Sequence, residues 1–333
     1  MVLPGSLRAD TQTEHLIEGA HWKKAKALVE ARIKANPNDP SALYDLLRVD
    51  LAFDDLEQAE RAGERAVELN GADADYHAQL ATVYASAAER ASVLKQVVLV
   101  HKMRHEMEAA LAIDSKNVNA LLVEASFDWQ APVLIGGSRE KALAVVDRLK
   151  SISPLWGNLL EARFFQNEDR NRAEAALRAA ASATPRSYRA RVLLADFYAS
   201  TSNAQKQQDA ERIAKESLGE DPDRVGAYNT LAKIYAEQDR MEDLDALLAR
   251  AETKVPDDLS PFYFAAKTLL DRDRDAERCE SYLRKYLSQP REASEPEPSA
   301  ARTLLAVAIE HTSPKFEQSA PTPISAAGVG GVK

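Results

Sequence analysis

The stretch DPDRVGAYNTLAKIYAEQDRMEDLDALLARAETKVP, residues 221–256, decides how the rest of the chain is read. Tyr228, Leu231, Ala232 and Tyr235 recur at three- and four-residue steps, so they share one face of a helix. Leu244, Leu248 and Ala251 mark a second such face, and Pro256 ends it. Pro222, Pro256 and Pro290 stand 34 residues apart, twice in succession. A fixed period closed by a helix breaker means one pair of helices laid down repeatedly. A single pair cannot bury its own apolar stripe, so neighbours must stack.

Outward from this stretch the same unit returns with altered loops. The first unit ends at Pro37, with Trp22, Ala25 and Val29 on its second helix and a weakly patterned first helix. The second runs from Pro40 to Gly71, with Leu43, Leu46 and Leu47 and then Leu56, Ala59, Ala66 and Leu69 on its two helices. The third carries about ten extra residues, Ser86 to Gln96, and Val93, Leu94, Val97, Val98 and Val100 predict a lengthened second helix with an extra apolar contact. The fourth holds a second insertion, Gln130-Ala131-Pro132-Val133-Leu134-Ile135-Gly136-Gly137-Ser138, and closes at Pro154. Pro132 stops a helix there, the glycine pair permits a turn, and Ser138 caps the next helix. The remaining units end at Pro185, Pro222, Pro256 and Pro290. The expected organisation is an irregular lead-in over 1–10, a helical solenoid over 11–290, an acidic Pro-rich linker over 291–298, a capping helix over 299–312 and a disordered tail over 313–333.

Composition narrows the function classes. The 333 residues are 45% apolar and 29% charged, with only 12 glycines, which favours helix throughout. A net charge of −9 argues against general binding to nucleic acid or anionic lipid, because phosphate attraction needs a basic footprint. Cys279 is the only cysteine, so neither an intrachain disulfide nor a Cys-rich zinc site can form. No apolar run has the length of a membrane span. Met1 to Asp10 has one Arg and no apolar core, so the sequence as given reads as cytoplasmic, and as periplasmic or envelope-bound if a leader was removed.

Residues 11–290 resemble the tetratricopeptide-repeat (TPR) superfamily. Within it, the run Val93-Leu94-Lys95-Gln96, Lys102-Met103-Arg104 and Ala109 to Asp114, followed by Gln130-Ala131-Pro132 and Gly136-Gly137, is similar to a group of bacterial repeat proteins with these two insertions. Proteins of that group usually carry secretion signals, which would imply the cell envelope. The resemblance implies an all-α, right-handed superhelix of about eight helix-turn-helix repeats. It also implies a non-enzymatic scaffold that binds a peptide or protein partner in its concave groove, without a cofactor.

The superfamily lines that groove from set positions of each first helix. Carried over unit by unit, these positions nominate Tyr44 and Arg48, then Asn119, Ser126 and Trp129. They further nominate Asn158 and Phe165, Arg189 and Asp196, Asn229 and Lys233, and Tyr263 and Lys267. Arg48, Lys233 and Lys267 share one position in their units. Aromatic, amide and basic groups together suit an extended peptide. An alternative is a small-molecule or lipophilic-ligand binder, its pocket walled by the 86–96 and 130–138 insertions. A closed apolar cavity at units three to five would favour it, and an open polar groove would oppose it.

Other constellations are weaker. His101 and His105 share a helix face with Glu108 beside them, but Lys102 stands where a zinc protease needs Glu. The segment therefore reads as a solvated face. Gly136-Gly137-Ser138 opens a helix but lacks the spacing of a P-loop. The apolar tip at Val133 to Ile135 either packs on its neighbour or docks a partner. Cys279 reads as a small buried hydrophobe. Trp22 and Trp156 are expected to pack between helices, and Trp129 to face the groove. No cluster offers a nucleophile, a base and an orienting group together.

Overall fold

The computed structural model describes residues 11–293 and 296–312, apart from the side chain of Leu134. The lead-in over 1–10 and the tail over 313–333 lie outside the described residues. Within them the chain is helical without strands and forms eight pairs. These are α1 (Thr11–Glu18) with α2 (Trp22–Ala35), α3 (Pro40–Ala52) with α4 (Leu56–Leu69), α5 (Ala74–Glu89) with α6 (Val93–Ile113), and α7 (Val118–Gln130) with α8 (Arg139–Ile152). Then follow α9 (Pro154–Phe165) with α10 (Arg170–Ala181), α11 (Tyr188–Ala199) with α12 (Ala204–Glu220), α13 (Gly226–Glu237) with α14 (Met241–Lys254), and α15 (Ser260–Leu270) with α16 (Ala276–Tyr286). A last helix, α17 (Pro298–Thr312), lies on α16 and α15 and buries Ala301 and Ala308.

Local chemistry starts and stops these helices. Asp39 caps α3, accepting from the Ser41 and Ala42 amides, and Pro40 occupies the first helical position, where its missing N–H costs nothing. Asp55, Asn117, Asp169 and Asn203 cap α4, α7, α10 and α12 in the same way. The turns inside several pairs need a left-handed residue, and Asp takes it at Asp54 (φ 68°) and Asp239 (φ 63°).

Small residues sit where helices cross and large ones fill the space beside them. Ala232 and Ala251 are buried in the pair read first, next to Tyr228, Leu231, Leu244 and Leu248. Burying each Leu contributes about 1.5–3 kcal/mol. Units are tied by polar bonds as well. The Tyr188 hydroxyl donates to the Arg224 carbonyl (2.9 Å) and accepts from the Ala227 amide (2.8 Å), so one unit caps the first helix of the next.

The first insertion does lengthen α6 to 21 residues, but the expected apolar contact is absent from its start. Val93, Leu94, Val97 and Val98 are exposed, because α5 ends at Glu89 and leaves those turns without a partner. The second insertion is a tight loop with a 3-10 turn at Val133–Ile135. Gly136 adopts φ 100°, and a Cβ on Gly137 would sit 1.8 Å from the Ala131 carbonyl oxygen. The lengthened α6 touches the second insertion: Arg104 donates to the Ile135 carbonyl (3.0 Å) and lies over the Phe127 ring.

The array also closes on itself. His21 Nδ1 and Lys24 Nζ both bond the Asp257 carboxylate at 2.9 Å. The Lys23 amide donates to Glu292 (3.0 Å), Lys23 Nζ to the Pro290 carbonyl (2.8 Å), and Arg224 to the Glu18 carbonyl (2.6 Å). The first unit is thereby fastened to the last two and to the linker that follows them.

Candidate functional site

The inner face opens into a cavity of about 880 Å³ across four successive first helices, α5, α7, α9 and α11. Each helix contributes residues three or four apart, as a single helix face must. Gln79 and Thr82 come from α5, and Asn119, Leu122, Ser126 and Gln130 from α7. Trp156, Leu159, Arg163 and Gln166 come from α9, and Arg189, Leu193, Asp196 and Ser200 from α11. The insertions close one side through Val100 and Met103 of α6 and Pro132 and Ile135 of the loop. Amides, hydroxyls and arginines thus alternate with Leu and aromatic rings along the wall.

Four nominated residues, Asn119, Ser126, Arg189 and Asp196, line this cavity. The two nominated on α9 do not. Asn158 bonds the Pro154 carbonyl at 2.7 Å, and Phe165 lies under the Arg172 guanidinium at 3.8 Å. The true lining residues, Trp156 and Arg163, stand two positions earlier. The sequence reads Pro154 as the end of a unit, but it is the first residue of α9, with no turn between α8 and α9. Counting from it therefore places the inner face two residues late.

The tryptophan assignments exchange as well. Trp129 stacks on Phe164 at 4.4 Å and 3°, meets Phe165 edge-on at 5.2 Å, and lies under Arg139 at 4.3 Å. It packs between units, while Trp156 faces the cavity. Tyr263 is likewise buried against Phe264 and Tyr286. Tyr44 stacks on Tyr76 at 5.0 Å, and burial pushes its hydroxyl well above the usual phenol range. Asn229 accepts from the Ser260 hydroxyl (3.0 Å).

The three cations that share one position are each neutralised within the chain. Arg48 forks onto Glu14 at 2.5 and 3.0 Å, Lys267 pairs with Asp271 at 2.5 Å, and Lys233 pairs with Asp196. Such pairs often span one period: Arg48–Glu14 by 34 residues, Lys233–Asp196 by 37 and Arg278–Asp245 by 33. Opposite charges one period apart were the signal in the sequence that would have found the partners of Arg48 and Lys233, and the i, i+4 spacing that of Lys267.

Arg163, Arg170 and Arg189 differ. Among the described residues none of them forms an ion pair with a carboxylate. Arg189 stacks over Trp156 (5.6 Å to the ring), and Arg170 over Phe197 (4.6 Å), donating also to the Ser200 hydroxyl (3.1 Å). Arg189 is exposed to the cavity yet walled by protein. Desolvation, then the nearby Arg224 and Arg163 charges, hold its guanidinium below the usual arginine value.

The remaining sequence candidates fall as follows. Ser138 caps α8 through the Lys141 amide, which accounts for the glycine turn before it. Cys279 is fully buried against the Ala266 carbonyl, and burial pushes its thiol up to about 12. His101 and His105 lie in a shallow surface depression with Glu64, Lys102 and Glu106. Among the described residues no three His, Cys, Asp or Glu side chains are grouped to hold a metal, and no helix is long and apolar enough to cross a membrane.

No protein-family model matches the chain, and no curated protein sequence does. Solved structures do. The yeast protein Tom70 superimposes with a TM-score of 0.55 at 15% identity, covering 92% of this chain and 65% of that one. A thermophilic TPR protein of Thermus thermophilus, TTC0263, is 20% identical over 57% of this chain and 96% of its own, with a TM-score of 0.49. A tetratricopeptide repeat protein from Parabacteroides merdae is 18% identical over 80% of this chain and 99% of its own, with a TM-score of 0.46. The chain shares with Tom70 the fold of an α-solenoid, helix pairs stacked one on the next.

Proposed function

We propose that this chain is a non-enzymatic scaffold that takes an extended segment of a partner protein into the cavity between α5 and α11. The observation that carries this reading is the mixed wall: Gln79, Asn119, Gln130 and Gln166 offer amides to a peptide backbone, and Leu159 and Leu193 offer apolar contact between them. Backbone groups need such partners when they leave water. The lipophilic-ligand alternative calls for a closed apolar pocket, whereas this cavity is open and sets amides and arginines among its apolar groups. A volume of about 880 Å³ suits a short segment rather than a folded domain.

The test uses Ser126→Cys, coupled to a bulky maleimide at the middle of the cavity. Cys279 is buried and unreactive, so position 126 carries the label. Peptides enriched from a random display library on the full chain are expected to lose at least tenfold in affinity when the labelled variant replaces the parent. Equal binding to both would place the ligand elsewhere and end the groove reading.

A further inference from the structure

We infer that Arg163 and Arg189, with Arg170 further along the same wall, form a subsite for an acidic side chain of the bound segment; the inference rests on the groove reading above. The inner-face cations Arg48, Lys233 and Lys267 each have an internal carboxylate. The cavity arginines have none among the described residues. Of the carboxylates that line the cavity, Asp196 is taken by Lys233, and Glu89 belongs to α5, at the opposite end of the four-helix row.

Arg189 is partly desolvated and feels the charges of Arg224 and Arg163, which disfavours the empty site, and an anion relieves both costs. The arginines are also held in place. Trp156 lies under Arg189 and Phe197 under Arg170, so flat guanidinium faces rest on rings and their edge N–H groups stay free to fork onto a carboxylate. Leu159 and Leu193 line the same part of the wall and fit an apolar residue next to the acidic one.

A protein segment fits better than nucleic acid. Three arginines inside a chain of net charge −9 supply little of the phosphate neutralisation that nucleic acid binding draws on. A side-chain carboxylate fits better than a chain end. The cavity runs past Arg163 and Arg189 to Ser200 at the end of α11 and across to α7 and α5, so a segment can continue on either side of the bound residue.

The experiment measures fluorescence polarisation with acetylated, amidated peptides of alternating Glu and Leu, and with their Gln–Leu and Lys–Leu counterparts. The full chain is expected to bind the acidic peptide at least tenfold more tightly than the Gln peptide at low salt. The preference should shrink as salt rises. The double variant Arg163→Gln, Arg189→Gln is expected to bring the acidic peptide to the level of the Gln peptide with a circular dichroism melt no lower than the parent's, since among the described residues neither arginine holds a carboxylate. Equal binding of acidic and neutral peptides, tighter binding of the Lys peptide, no binding of the acidic peptide, or an unaffected double variant would overturn the inference. Tighter binding of a Gln–Leu peptide with a free C-terminus, or displacement of the acidic peptide by a short phosphorylated oligoadenylate at lower concentration than by the peptide itself, would reassign the subsite and also overturn it. Display-selected neutral peptides that still compete at position 126 would leave the groove reading intact while this inference falls.

Discussion

Glu292 offers a direct test of how the ring is fastened. Its carboxylate is 2% exposed and accepts the Lys23 amide, one of the N–H groups that the start of α2 cannot satisfy internally. Burial is the largest influence on it. The charges of Asp257 and Asp258 add to burial, the Lys23 bond opposes it, and the carboxyl is pushed from 4.5 up to about 7. A raised carboxyl favours the closed form fully below 4.5, and that stabilisation is lost as pH rises through about 7. Converted at 1.36 kcal/mol per pH unit, the full loss is about 3 kcal/mol, or roughly three-hundredfold in the opening equilibrium, of which about a hundredfold falls between pH 5 and 8. Asp257 does not counter this change. His21 and Lys24 hold it well below the usual range, so its contribution is complete above 3.8 and constant from pH 5 to 8. Asp258, raised by burial, acts in the same direction as Glu292.

The assay is hydrogen exchange at the Lys23 amide, corrected for the intrinsic pH dependence of exchange. Protection should fall about a hundredfold between pH 5 and 8 in the parent. In Glu292→Gln, which keeps a neutral carbonyl acceptor, most of that slope should vanish and protection at pH 8 should exceed the parent's. Any slope that remains is the share of Asp258. Protection that is flat or rising with pH in the parent, or a Gln variant that follows the parent throughout, would refute the reasoning.

Two further outcomes follow from the local geometry. Gly137→Ala drives a Cβ to 1.8 Å from the Ala131 carbonyl oxygen, so exchange at the Ser138 amide, bonded to the Asp128 carbonyl at 2.8 Å, should report a loss of about 3 kcal/mol. Cys279, with its thiol pushed up to about 12, should resist a disulfide reagent at pH 8 in the folded chain and react at once in denaturant. Reaction in the folded state at the rate of a free thiol would contradict its burial.

The paired helices were legible because their signal is local. The stripe Tyr228, Leu231, Ala232, Tyr235 and the proline spacing report on residues within one or two turns of each other. The cavity was legible in part. Asn119 and Ser126, and Arg189 and Asp196, were reachable because the loops before α7 and α11 match the counted boundaries, whereas α9 begins directly at Pro154 and moves the inner face by two residues. The exposed start of α6 was missed because Val and Leu at helical spacing state only that a stripe exists, not that a neighbour is long enough to cover it.

The sequence by itself determined that this chain is a row of helix pairs, and which apolar stripe each helix of the regular units buries. Those features depend on backbone sterics and on apolar spacing within a unit. Only the tertiary structure decided that His21, Lys23 and Lys24 meet Asp257 and Glu292, that Arg48, Lys233 and Lys267 are already neutralised, and that Arg163 and Arg189 are left to face the cavity. The contact between the ends depends on small rotations that add from unit to unit, and the state of each arginine depends on a carboxylate brought near by a different helix. Neither quantity is carried by any short stretch of the chain.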